Sequence, residues 1–553
     1  MHDLSSAPLE TFLIGGVGTF GMNMMAVRTN TSTVLIDAGI GFTALRHYGI
    51  NVRIPDLDTI RAEFGSFDAL FLTHGHEDHI GATPFIWDLL DGPIYGTRLT
   101  LALVERRLME HGIPINDRLI PTTVGSFVAI GDLKIELLPV THSIPDSTAV
   151  VVHSPFGTLV HTGDFKFDQD YGADIDTTVS HLAKIGRNGV LAAFSDSTNA
   201  SRPGRAGSEL DLQPSLEHLC KTSTGRVFVT TFASSIRRIQ LLISIAQDTG
   251  RTIVFLGRGI ERNVEIAERL GYISIPPRLK QPLSTLNDPQ TKNILCIVSG
   301  SQGEALAALA RIASNKHSSV SIEPGDTVIF SARVIPGNEL SINNVKNKLA
   351  LLGARVFDND LELVHVSGHG NQDDLLQMLS LLKPKYLIPI HGEFRDLKCH
   401  ATLAEQTGII PLLANNGDRI CFENSKGWLG APIPAKSTYF NDNLSTVIKE
   451  QTITQRRAMA KTGILVVICR INRTTRQIEE QPRLITRGVS TENINISCID
   501  DLAEAIRMLL NSALIGRTDE PKALLEECMP DLQHLAKDHF GNAPVILPVL
   551  LEN

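Results

Sequence analysis

None of the seven cysteines (Cys220, Cys296, Cys399, Cys421, Cys469, Cys498 and Cys528) stands in a C-x-x-C pair. That excludes a thiolate zinc module and offers no framework of disulfides. Scattered thiols of this kind are expected to be reduced, buried small hydrophobes in a cytoplasmic protein. No apolar run reaches the roughly 18–20 residues that a membrane helix needs, so no membrane partner is expected. The start, Met1 to Leu13, has no basic stretch followed by an apolar one, and no secretion signal is expected. Aromatic residues make up 5%, too few for a long platform of stacked bases. Positive charge is also short: the net charge of −9 argues against indiscriminate wrapping of nucleic acid.

The charge is uneven, however. Residues 209–350 hold 16 Lys/Arg against 12 Asp/Glu, a net +4, which leaves −13 for the rest. A cationic wall confined to that segment is compatible with an acidic whole. At 553 residues the chain is too long for one core, so several domains are expected.

From Thr11 to about Ser208 short apolar strands alternate with turns, with few helices: Thr33–Ile36, Ala69–Leu72, Lys134–Pro139, Ala149–His153 and Thr158–His161. From Leu210 helices and strands alternate, as in parallel α/β units: Leu210–Cys220, Val227–Thr230, Ile236–Ala246, Thr252–Leu256 and Asn263–Leu270. A strand-rich pattern returns from Leu361 to Ile420, with a helix at Asp373–Leu382. The order suggests one domain interrupted by another. The expected boundaries are 1–208 and 351–428 for the interrupted domain, 209–350 for the insert, 429–449 for a linker and 450–553 for a small α+β unit.

The strongest chemical signal is the run Phe71 to His79, which places His74, His76, Asp78 and His79 within six residues directly after a strand. In an extended segment His74 and His76 point the same way. The chain then turns, leaving Asp78 and His79 for a second ion. Imidazoles and carboxylates are ligands that zinc accepts. His142, Asp164 and His391 each follow a predicted strand, where loop ends converge. A bridging Asp164 could hold two ions. His142 or His391 alone would be an ordinary packed or exposed histidine; the set is not. Gly16 to Gly21 fits a dinucleotide glycine pattern, but a strand rather than a helix follows, so it reads as a turn between antiparallel strands.

These residues resemble the metallo-β-lactamase superfamily, the insert resembles its β-CASP group, and the whole is similar to the bacterial ribonuclease J family. The segments that carry the resemblance are Thr73–Gly81, His142–Ser147, His161–Asp168, Ser195–Asn199, Phe232–Ser235, Gly300–Glu304, Ile335–Glu339, His365–His369 and Pro389–Glu393. The fold it implies is an αββα sandwich interrupted by an α/β β-CASP domain and followed by a small α+β domain. It implies one zinc on His74, His76 and His142 and another on Asp78, His79 and His391, with Asp164 bridging and Asp37 orienting the ligand strand. Mn²⁺ or Mg²⁺ could replace zinc in assays. Asp78, Asp196 and His369 would be catalytic, with His369 protonating the leaving oxygen. Ser234, His365, Ser367 and Gly368 would bind the 5′-monophosphate of single-stranded RNA. Thr19-Phe20 and Gly370-Asn371 depart from the pattern, where Glu-Ile and an alanine are usual.

The activity so implied is a zinc-dependent 5′-to-3′ exonuclease and endonuclease in mRNA decay and rRNA maturation. A homodimer or homotetramer and RNA-decay partners are expected. The alternatives are a β-CASP nuclease acting on DNA and a non-catalytic RNA-binding subunit. Arg237, Arg238, Arg258, Arg262 and Arg333 are candidate phosphate contacts in the basic segment. The basic stretch Gln451–Lys461 reads as a solvated helix.

Overall fold

The computed structural model describes residues 8–115, 117–168, 173–287, 291–441, 446–472, 474–489, 496–515 and 521–552. The short apolar runs of the first 200 residues form strands in two facing sheets. One holds, in spatial order, Lys426–Leu429, Arg419–Glu423, Leu9–Gly15, Met24–Arg28, Thr33–Ile36, Ala69–Phe71, Ile94–Gly96 and Leu119–Pro121. The other holds Phe127–Ile130, Leu133–Pro139, Thr148–Ser154, Gly157–His161, Ala192–Asp196, Tyr386–Ile390 and Ile410–Pro411.

Side chains alternate between the faces of a strand, so each sheet turns one face inward. Val34, Ile36 and Phe71 of the first sheet meet Ile135, Val150, Phe194 and Ile388 of the second in one apolar core. The outer face of the second sheet, with Val151 and Val160, packs on Leu182, Leu379 and Ala404 of the helices Ala173–Asn188, Gln372–Leu382 and Phe394–Gln406. The glycine loop at Gly16 does join antiparallel strands, Leu9–Gly15 and Met24–Arg28.

The first 208 residues hold more helix than their sequence pattern predicts. Arg98–Glu110 and Ala173–Asn188 are both helical. In the first, Leu99, Thr100, Leu101, Leu103, Val104 and Leu108 are all buried, so apolar residues occupy more than one stripe. The Leu-Thr-Leu-Ala-Leu stretch therefore shows the alternation of a strand and hides the helical period.

Ala192–Asp196 pairs in parallel with Tyr386–Ile390. The chain leaves the sheet after the first strand and re-enters it in the neighbouring position. Between them lies a five-stranded parallel sheet in the order Thr252–Leu256, Ile294–Val298, Val227–Thr230, Thr327–Phe330, Arg355–Phe357. Its three central strands are buried at every residue, the pattern of parallel strands covered by helices.

Residues 43–52 and 438–553 form a separate compact unit. There Ile464–Asn472 pairs with Arg483–Arg487 antiparallel and with Val545–Glu552 in parallel. Leu465, Val467, Leu502, Ile506 and Leu532 fill its core. Within the stretch expected as a linker, Ser437–Phe440 and Val447–Ile448 are strands. The basic stretch lies on the helix Glu450–Thr462, where Arg456 donates to the Tyr48 carbonyl at 2.8 Å. Among the described residues no helix is long and apolar enough to cross a membrane.

Candidate metal centre

Every candidate ligand sits where a strand of the sandwich ends. His74 and His76 follow Ala69–Phe71, and Asp78 and His79 open the short helix Glu77–Ile80. His142 follows Leu133–Pro139, Asp164 follows Gly157–His161, and His391 follows Tyr386–Ile390. His391 holds a left-handed backbone at φ 53°, a conformation a non-glycine residue adopts only when its surroundings impose it. Its amide donates to the Gly16 carbonyl at 2.7 Å, which pins that turn.

The side chains converge in three groups: His74, His76, His142 and Asp164; Asp78, His79 and His391; and Asp164, Asp196, His369 and His391. Asp164 Oδ2 stands 3.5 Å from His74 Nε2, 3.3 Å from His79 Nε2, and 3.7 Å from both His142 Nε2 and His391 Nε2. One carboxylate oxygen thus faces four imidazoles.

The hydrogen bonds behind the rings assign their tautomers. Asp37 accepts from the amide and hydroxyl of Thr73, both at 2.8 Å, and from His79 Nδ1 at 2.7 Å. With its own proton committed to Asp37, the Thr73 hydroxyl accepts from His74 Nδ1 at 3.0 Å. His142 Nδ1 donates to the Gly368 carbonyl at 2.7 Å. His391 Nδ1 donates at 2.6 Å to Thr198 Oγ1, which donates at 2.7 Å to Asp196. So the neutral rings of His74 and His142 turn their Nε2 lone pairs to the centre, while the Nε2 atoms of His79 and His391 face its carboxylates. Those of His74 and His142 meet His76 Nδ1 at 3.0 and 3.2 Å. His391 Nε2 faces Asp78 Oδ2 at 3.2 Å. Nitrogens and carboxylate oxygens crowded this closely share a cation, a proton or a metal ion, and this donor set suits divalent ions.

The electrostatics agree. Burial lowers His74 and His142 and pushes His76 down to about 4, so these rings are neutral and ready to ligate. Burial also acts against charge on His79 and His391, but the Asp164 carboxylate, with Asp37 or Asp196 and Asp78, outweighs it and raises both. Asp78 and Asp164 are held ionised by the surrounding histidines despite burial. The centre therefore demands positive charge, whether from protons or from metal.

His369 lies over this cluster, parallel to the His391 ring at 5.3 Å and edge-on to His142 at 5.0 Å. Its Nδ1 bonds Asp196 Oδ2 at 2.8 Å. Thr198 and Asn23 also touch the ligand rings, and the sequence does not point to either. Asn23 Nδ2 stands 3.0 Å from His79 Nε2, and neither residue type has ligand chemistry to advertise it in a sequence.

The second constellation is His365–Gly368. Both ring nitrogens of His365 are buried without a hydrogen-bond partner. Burial, then the cations of Arg238, Arg333, Lys166 and Arg202, hold this imidazole well below its usual range. Ser367 Oγ accepts from Asn199 at 2.9 Å, and Asn199 in turn accepts from Arg333 at 2.8 Å. A Cβ at Gly368 would lie 2.7 Å from His142 Cε1, so only glycine lets this loop touch the ligand. Ser234 and Arg333 each stand just beyond the C-terminal end of a central strand of the inserted sheet, Val227–Thr230 and its neighbour Thr327–Phe330.

Arg238 is not a free phosphate contact. It is 2% exposed and forks onto Glu209 at 2.6 and 3.0 Å, with its remaining N–H groups on Ser331 and the Val364 carbonyl. Arg262 is paired with Glu110 at 2.7 Å. A basic residue on a helix gives no sign in the sequence of a carboxylate waiting elsewhere.

Four family models match the chain in succession: the metallo-β-lactamase superfamily over residues 17–212, the ribonuclease J β-CASP domain over 224–349, the Zn-dependent metallo-hydrolase RNA specificity domain over 361–414 and the ribonuclease J C-terminal domain over 451–553. Ribonuclease J2 of Bacillus subtilis is 34% identical over 555 residues, covering 100% of both chains. The chain belongs to the ribonuclease J family. Ribonuclease J of Thermus thermophilus is 35% identical and covers 98% of this chain and 95% of its own. That of Helicobacter pylori is 32% identical, covering 98% and 79%. The fold of this family member is thus a metallo-β-lactamase domain with an inserted β-CASP domain and a C-terminal domain. A solved protein of unknown function from Enterococcus faecalis, 18% identical with a TM-score of 0.54, shares the fold over 75% of this chain and 100% of its own.

Proposed function

We propose that this chain is a metal-dependent ribonuclease that cleaves single-stranded RNA, with two zinc ions on the seven residues named above. The observation that carries the reading is the ring of imidazoles around Asp164, whose carboxylate oxygen lies 3.3–3.7 Å from four of their nitrogens. His74, His76 and His142 would hold one ion, Asp78, His79 and His391 the other, and Asp164 would touch both. Divalent ions there supply Lewis acidity and positive charge to a phosphodiester. The protein's own part is proton management and positioning. Asp196 fixes His369 through Nδ1; as a water oxygen bonds to phosphorus and the P–O3′ bond breaks, the doubly protonated His369 would give its Nε2 proton to the departing 3′ oxygen, and the water oxygen stays on the 5′-phosphate of the product. Asp37, Thr198 and the Gly368 carbonyl keep the ligand rings in the lone-pair-inward tautomer.

The unpartnered His365, set among four cations, supports recognition of a 5′-monophosphate and with it 5′-to-3′ exonuclease action. The test uses one internally labelled single-stranded RNA carrying either a 5′-monophosphate or a 5′-triphosphate, with Asp78→Ala as the control for contaminating nuclease. Mononucleotides from the monophosphate RNA and few from the triphosphate are expected. Equal internal fragments from both would leave an endonuclease that ignores the pocket. Intact RNA in the presence of metal-loaded protein would overturn the reading.

A further inference from the structure

We propose that Phe20 and Arg53 form a nucleotide subsite at the His391 edge of the metal centre, in which the phenyl ring takes a base and the guanidinium takes a backbone phosphate. The inference rests on the ribonuclease reading above and adds a contact to it. The tip Gly18–Gly21 is tied to the His391 loop by strand pairing. Val17 pairs with Gly392, Gly18 with Glu393, and Thr19 bridges Gly392. Gly21 turns at φ 75°, and a Cβ on it would sit 3.4 Å from Asp78 Cβ, so the tip lies against two candidate ligands at once. Phe20 is half-buried, with its ring edge-on to His391 at a centroid distance of 6.5 Å. A partly exposed aromatic beside a phosphodiester-cleaving centre offers a flat face to any base.

Arg53 supplies the charge. Its Nη2 donates to Thr19 Oγ1 at 2.8 Å, while its Nε is buried with no partner. Among the described residues no carboxylate pairs with it. The resemblance expects Glu-Ile where this chain has Thr19-Phe20. The acid that would have stood beside the guanidinium is a hydroxyl here, and the aliphatic chain is an aromatic ring. In this chain the tip therefore carries a guanidinium with no acid beside it and an aromatic ring next to it. The tip neighbours His391, whereas the Gly368 carbonyl meets His142. This contact is therefore separate from the phosphate pocket.

The experiment walks a single abasic nucleotide through the monophosphate RNA and measures kcat/KM with zinc-loaded wild-type protein, Phe20→Ala and Phe20→Ile. In the wild type one abasic position is expected to lower kcat/KM about fivefold or more, the scale of one base–aromatic stack. Both variants should lose a similar factor on intact RNA, keep their metal, and show no further loss at that position. Phe20→Ile retains bulk without a flat face, so its agreement with Phe20→Ala separates stacking from packing. Arg53→Gln should flatten the salt dependence of log KM by about 0.7, one phosphate's share for a single strand. An abasic profile identical in wild type and variants overturns the subsite while leaving the ribonuclease reading intact. Metal-loaded wild type that cuts no RNA overturns both.

Discussion

His391 and His365 are both enclosed histidines on loops beside the same centre, yet the protein treats them oppositely. His391 has Nδ1 tied to Thr198 and Nε2 aimed at Asp78 and Asp164. His365 has neither nitrogen tied to anything and faces cations instead. The first is a ring whose orientation the protein fixes before any ligand arrives. The second has hydrogen-bonding capacity that nothing among the described residues uses. The difference is between a ring held in place from behind and one left open to the pocket proposed above.

The largest effect should come from the carboxylate that four of the five ligand rings face. Asp164→Asn is expected to lower RNA turnover on the order of 10³-fold, since a metal centre contributes several kcal/mol of charge stabilisation. Elemental analysis should show metal lost with it. His369→Ala should cost about 10²-fold in kcat, the scale of one general acid, with metal content unchanged. Full activity in that variant would remove His369 from the chemistry.

Thr198→Val tests whether His391 is truly held from behind. Zinc affinity is expected to drop about tenfold, with Thr198→Ser restoring it, as measured by competition with a chromogenic chelator. His365→Ala should leave zinc affinity alone and narrow the preference for monophosphate over triphosphate RNA by about tenfold, the worth of one charge-assisted hydrogen bond. An effect of His365→Ala on zinc affinity would erase the distinction between the two histidines. At the small end, Arg262→Gln breaks only an exposed pair with Glu110 and should shift unfolding free energy by less than ~1 kcal/mol in a denaturant titration.

The sequence was most legible where ligands are contiguous. His74, His76, Asp78 and His79 sit in one short run whose residue types admit few other readings, and the strand before them is apolar throughout. The interruption of one domain by another was readable from the change between strand-rich and alternating patterns, and it appears as the parallel pairing of Ala192–Asp196 with Tyr386–Ile390. What stayed hidden depends on partners far along the chain. Thr198 meets His391 across 193 positions, and Asn23 meets His79 across 56. Arg238 read as a phosphate contact because its charge is visible and Glu209 beneath it is not. Arg98–Glu110 escaped because a helix buried on several sides loses its polar stripe.

The cluster of imidazoles and carboxylates around Asp164 is expected to need divalent cations to cleave RNA. The direct measurement is to strip the protein with a chelator and titrate zinc back while following cleavage of monophosphate RNA. The account predicts no cleavage by stripped protein and full recovery at two equivalents, with Asp164→Asn unresponsive. Cleavage that persists in the stripped protein, or recovery that ignores zinc stoichiometry, would contradict it.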